Sequence, residues 1–124
     1  MEDLIRESLS INIKIIDMLN EQVKMEAKAS AMYLAMASWC DQQDFDHSAK
    51  FFYDQSEEER EHMLKIFKFI NDNGGMAYAP DVPKVSHDFE SILDLYKTAL
   101  HEEIQVNKAI QKIFLTARKE QDVA

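Results

Sequence analysis

Apolar and small residues recur at three- and four-residue intervals through Leu19, Val23, Ser30, Tyr33, Ala37 and Cys40, and neither glycine nor proline interrupts the chain between Ser10 and Cys40. Such spacing keeps one helical face apolar and predicts a first long helix over about 10–40. A second stripe, Phe52, Ser56, Met63, Ile66 and Ile70, runs toward Gly74. Glycine suits the left-handed position that closes a helix, and Asp44 is placed to cap the start of this one. The third stripe comprises Ile92, Leu95, Ala99, Val106, Ile110, Ile113 and Ala117. Ser91 and Asp94 precede it with capping-box spacing, so a third helix is predicted from there to about Lys119.

The links between these helices predict how they pack. Asp41-Gln42-Gln43 is so short that the first two helices must be antiparallel neighbours. Asn73 to Asp88 is a 16-residue stretch that holds both glycines and both prolines. Extended, it reaches roughly 50 Å, and a helix of about 30 residues is roughly 45 Å long. It can therefore carry the chain back along the whole bundle, leaving the second and third helices parallel. No repeat or domain boundary is evident, so residues 1–124 read as one all-α domain.

Composition agrees with helices: two glycines and two prolines in 124 residues leave little material for the turns of a β protein. The formal charge of −9, with basic residues dispersed among acids, argues against nucleic acid and is compatible with attracting cations. Cys40 is the only cysteine, which excludes an internal disulfide. The N-terminus MEDLIRESLS lacks the order of a signal peptide, and no apolar run approaches the roughly 20 residues of a membrane span. A soluble, cytoplasmic protein with no membrane partner is the expectation.

Candidate chemistry lies where the stripes skip a turn. Each skipped position holds a carboxylate: Glu26 between Val23 and Ser30, Glu59 between Ser56 and Met63, and Glu103 between Ala99 and Val106. A carboxylate in a core seam is costly unless it is paired or binds a metal. Glu26 lies 17 residues before Gln43 and Glu59 lies 16 after it, so the two face each other across the hairpin. Glu59 is 15 residues past Asp44 and Glu103 is 12 past Ser91, which puts all three near one level. His62 shares a helical face with Glu59, giving the Glu-x-x-His pair that di-iron carboxylate bundles use. Oxygen ligands with one nitrogen favour iron or manganese over copper, and the lack of thiolates disfavours structural zinc. An isolated Glu-x-x-His is usually solvated surface, and one core-facing Glu is usually a boundary residue. Three such acids with a histidine point to a metal.

At these residues the sequence resembles the non-haem bacterial ferritins of the ferritin-like superfamily. The resemblance runs through LNEQVKMEAKASAMYLAMASWC, EEEREHMLKIFKF, the Gly/Pro crossover and HEEIQVNKAIQKI. It implies a ferritin-like fold, here three long helices of a four-helix bundle with the long crossover between the second and third. It implies iron storage with ferroxidase activity, Fe(II) being oxidised to Fe(III) by dioxygen at a di-iron site. Glu26, Glu59 and His62 would bind the first iron, with Glu59 bridging, and Glu103 the second. Counting back from VNKAI, and by the apolar seam, Glu103 is preferred to Glu102. Tyr33 matches the tyrosine beside that site; it fits equally as a core aromatic whose hydroxyl is hydrogen-bonded. Glu58 falls where an accessory third iron is held, or is solvated surface within EEERE. The partners implied are iron ions, dioxygen and other copies of the chain, in a homo-oligomeric cage of twenty-four subunits for intact members.

The resemblance also implies fourth and fifth helices, which have no counterpart in this sequence; the domain is thus C-terminally incomplete against that family. Three other readings follow. The first is a truncated or cleaved fragment with impaired oxidation and a structural or altered-assembly role. The second is a rubrerythrin-like peroxidase, which usually adds a Cys-rich domain or a second Glu-x-x-His. The third is a haem-binding bacterioferritin, whose distinguishing residues include a fourth-helix Glu-x-x-His. The methionines Met25, Met32, Met36, Met63 and Met76 and the phenylalanines Phe51, Phe52, Phe67 and Phe69 read as packing residues. His47, His87 and Cys40 have no partner at ligand spacing and receive no role.

Overall fold

The computed structural model of the chain describes residues 2–123, with side chains from 13 to 120. The fold is all-α: α1 spans Glu2–Gln42, α2 Asp46–Asp72 and α3 Ile92–Val123. Among the described residues, no helix is long and apolar enough to cross a membrane.

α1 and α2 are antiparallel and joined by a three-residue turn. Asp44 does not cap α2; it has φ 62°. So tight a reversal needs one residue in the left-handed region, and Asp is among the few non-glycine residues that tolerate it. The N-cap is instead Phe45, which makes no side-chain cap hydrogen bond. Phe45 is held by its N–H, which donates to the Cys40 carbonyl at 2.9 Å, and by its ring, stacked on Trp39.

The far end of α2 closes as predicted. Gly74 has φ 84°, the Gly75 N–H donates to the Ile70 carbonyl at 3.0 Å, and the Gly74 N–H to that of Asn71 at 3.4 Å. These are the two bonds of a Schellman stop. A Cβ on Gly75 would lie 2.8 Å from Ile16 Cδ1, so glycine here lets the chain leave α2 hard against α1.

The crossover has no regular structure of its own, so its backbone polar groups need other partners. Asn20 of α1 supplies two: its Nδ2 donates to the Met76 carbonyl and its Oδ1 accepts the Tyr78 N–H, each at 3.0 Å. Asn71 of α2 accepts the Ala77 N–H at 3.0 Å. The crossover ends at Ser91, whose Oγ accepts the Asp94 N–H at 3.1 Å, while Asp94 Oδ2 accepts the Glu90 N–H. This is the predicted capping box shifted by one donor. Ser91→Ala should lower stability by about 1 kcal/mol, readable as a lower urea midpoint at unchanged slope.

α1 is the shared element of the bundle. It packs on both other helices, whereas no Cα of α2 comes within 8 Å of one in α3 among the described residues. Tyr33, Met36, Ala37 and Cys40 meet Ala49 and Phe52 of α2 and Leu95, Ala99 and Val106 of α3 in one cluster, and Val23 and Ile70 anchor a second with Ala77 of the crossover. Not every predicted packing residue is inside: Phe51, Phe69 and Met76 are exposed. Between α2 and α3 lies a cleft of about 210 Å³ whose walls include Phe51, Phe52, Tyr96 and Leu100, with Tyr33 and Glu103 also lining it.

Candidate metal centre

The three helices bring the skipped-turn acids to the middle of the bundle. One turn from them, Ser30 of α1 and Ser56 of α2 exchange hydrogen bonds, each hydroxyl donating to the other's backbone carbonyl at 2.8 and 2.7 Å. Small residues with reciprocal bonds draw the two backbones close at that level and fix their register. That register sets Glu26 opposite Glu59 and His62. One ligand atom from each of these three lies within 4.8 Å of the others, and no other such group of acids, histidines or cysteine forms among the described residues.

The carboxylates are inside: Glu26 is 1 % exposed and Glu59 5 %. Each has one buried oxygen, Oε2, with no hydrogen-bond partner. Two buried carboxylate oxygens without a protein hydrogen-bond partner are expensive, because burial removes their solvation and no protein donor compensates for it. His62 faces them from the rim; its Nδ1 is 3.8 Å from Glu59 Oε2 and its side chain is 52 % exposed. The Glu59 carboxyl is pushed up to about 9, by burial first, then by hydrogen bonding to and repulsion from Glu26, and then by Glu103. Burial and the neighbouring acids thus favour the neutral form of Glu59 in the metal-free chain. The donor set fits a cation: two hard carboxylates plus one imidazole suit a divalent metal such as Fe(II).

Glu103 reaches the same level from α3 but is engaged otherwise. The Tyr33 hydroxyl donates to Glu103 Oε1 at 2.5 Å. Burial and then the Glu103 acceptor hold the Tyr33 phenol far above its ordinary range, so it stays protonated and a donor. Glu102 takes no part in this bond, and His101 is exposed. Glu58 is also exposed and accepts a hydrogen bond from Gln55 at 3.1 Å, apart from the trio. His47 and His87 are exposed, and Cys40 is buried in the main cluster.

Sequence reasoning passed over Gln22, which is 1 % exposed and donates through Nε2 to Glu26 Oε1 at 3.1 Å. The available signal was its place one turn before Glu26 on the same face.

The chain is similar to known proteins over most of its length. The family described as "Ferritin-like domain" matches residues 16–124. A bacterial non-heme ferritin of Staphylococcus aureus (strain USA300) is 38 % identical over 112 residues, covering 89 % of this chain and 66 % of the relative. A probable bacterial non-heme ferritin-like protein of Haemophilus influenzae is 33 % identical over 104 residues, covering 81 % and 63 %. Among solved structures, Chlorobium tepidum ferritin superposes with TM-score 0.84 at 34 % identity, covering 89 % of this chain and 68 % of that one. An open-pore ferritin from Archaeoglobus fulgidus superposes with TM-score 0.83 at 27 % identity, covering 89 % and 67 %. The chain spans about two thirds of the length of the curated relatives it matches.

Proposed function

The chain belongs to the ferritin family, and from that premise we propose that it captures Fe(II) at Glu26, Glu59 and His62 and oxidises it to Fe(III) with dioxygen, as the first step of storing iron. One observation carries this reading: two buried carboxylates, each with an oxygen that has no hydrogen-bond partner, gathered with an imidazole so that one ligand atom of each lies within 4.8 Å of the others. Iron is the substrate here. It displaces the proton held at Glu59 and supplies the redox chemistry, while the carboxylates favour the more highly charged product.

In this reading Glu59, which faces both Glu26 and Glu103, bridges toward a second iron. Glu103 serves that position with its carboxylate aimed by the Tyr33 hydroxyl. Storage needs many copies around a shared interior, so a homo-oligomer is part of the proposal.

The test adds Fe(II) in air to the intact chain and follows Fe(III) absorbance against buffer alone. Sizing before and after shows whether the iron stays with an assembly. Oxidation no faster than in buffer overturns the proposal.

A second reading is favoured by one feature: Glu103 is bonded to Tyr33 and stands outside the trio. The chain would then hold a single divalent ion and oxidise it slowly. Anaerobic Co(II) titration separates the two, with two ions per chain for the di-iron reading and one for the single site.

A further inference from the structure

Gln22 lies on the buried side of α1, one turn before Glu26, and is as deeply buried as Glu26 itself. An uncharged amide at such a depth is costly unless its N–H has a partner, and here that partner is a ligand carboxylate. Nε2 donates to Glu26 Oε1, and the other oxygen, Oε2, is left without a partner. The terminal torsion of a glutamate is broad and roughly two-fold. A carboxylate free to turn about it would present either oxygen, or both, toward Glu59 and His62.

We infer that Gln22 is a positioning residue of the metal centre, whose amide occupies Glu26 Oε1 so that Oε2 alone is presented as a ligand. The inference rests on the metal-binding reading above and adds to it the denticity of Glu26. Groups that orient a ligand in this way contribute to affinity because the ligand is already in place when the metal arrives. Gln22 touches no metal in this arrangement; it acts through Glu26.

Two substitutions test this. Gln22→Met keeps the length and bulk of the side chain without the N–H, and Gln22→Asn keeps the amide but withdraws it by one methylene. The intact wild-type chain and both variants are titrated anaerobically with Co(II), followed by its visible spectrum. Infrared difference spectra with and without Co(II) read the carboxylate stretching bands. The wild-type chain is expected to bind Co(II) with bands of the one-oxygen pattern. Both variants should bind about 10- to 100-fold more weakly, with bands moved toward the two-oxygen pattern. Unchanged affinity in the variants overturns the inference. So does weaker binding with unchanged bands, which assigns Gln22 to packing alone. If Gln22→Met does not fold, Gln22→Asn decides by itself. Failure of the wild-type chain to bind Co(II) overturns the metal reading, and this inference with it.

Discussion

Replacing Glu59 by alanine is expected to slow Fe(II) oxidation by about a hundred-fold or more, close to the rate in buffer, because loss of a ligand exceeds the loss seen when only a ligand's supporting group is removed. Glu59 is the one acid that touches every part of the site. Its Oε2 is both an orphan oxygen and the atom nearest His62, and its carboxyl feels Glu26 from α1 and Glu103 from α3. Without it, one carboxylate and one imidazole remain of the trio. The metal-free variant should remain folded, since what is removed is a buried carboxylate that raises the free energy of the native state as well as contributing packing atoms. Glu61→Ala is the control: Glu61 is an exposed acid two residues further along α2, so loss of charge alone should leave the rate unchanged. Stopped-flow absorbance of Fe(III) with equal protein concentrations measures both. Retention of the full rate by Glu59→Ala would remove Glu59 from the site.

The sequence made the site legible through absences in a pattern. Each apolar stripe skipped one turn, and the skipped residues Glu26, Glu59 and Glu103 are at one level because short and long connections count residues from known starting points. That argument works wherever packing imposes a period. It fails where the outcome depends on which atom bonds to which. Nothing in the spacing separates a Glu103 that ligates a metal from one that accepts the Tyr33 hydroxyl, since both need the same face of α3. Gln22 was passed over for a related reason: its place one turn before Glu26 was readable, but an amide there looks like a boundary residue until its partner is located. The turn at Asp44 misled because Asp serves both as an N-cap and as a left-handed turn residue, and the shortness of the link selected the second use. Phe51, Phe69 and Met76 misled because bulk and apolarity predict burial only when another surface is there to cover them.

Without metal, the chain is expected to become less stable as pH rises from about 4.5 to about 9, the opposite of what a salt-bridged carboxylate produces. Burial and the neighbouring acids raise the Glu59 carboxyl from its ordinary value of 4.5 to about 9. Between those limits the folded chain holds a proton at Glu59 that the unfolded chain has released. The unfolded state therefore binds fewer protons, and the free energy of unfolding falls with increasing pH across the window and levels off above it. The loss should be on the order of a few kcal/mol, which for a chain of this length lowers the thermal midpoint by on the order of 10 °C. Glu59→Gln keeps the shape and removes the titration, so its midpoint should change far less over the same window. A midpoint that is flat or rises in the wild-type chain would mean that Glu59 is ionised in the folded protein. Metal reverses the trend. A divalent ion must displace the proton to bind, so each ion taken up near neutral pH should release a proton, and affinity should increase with pH until Glu59 is ionised without help. At saturating Co(II), mass action then stabilises the chain most at the alkaline end, where the metal-free chain is weakest, so the gap between loaded and empty midpoints should widen steadily from acid to alkaline pH. Calorimetry across that range reads the gap directly, and a constant gap would place the metal away from Glu59.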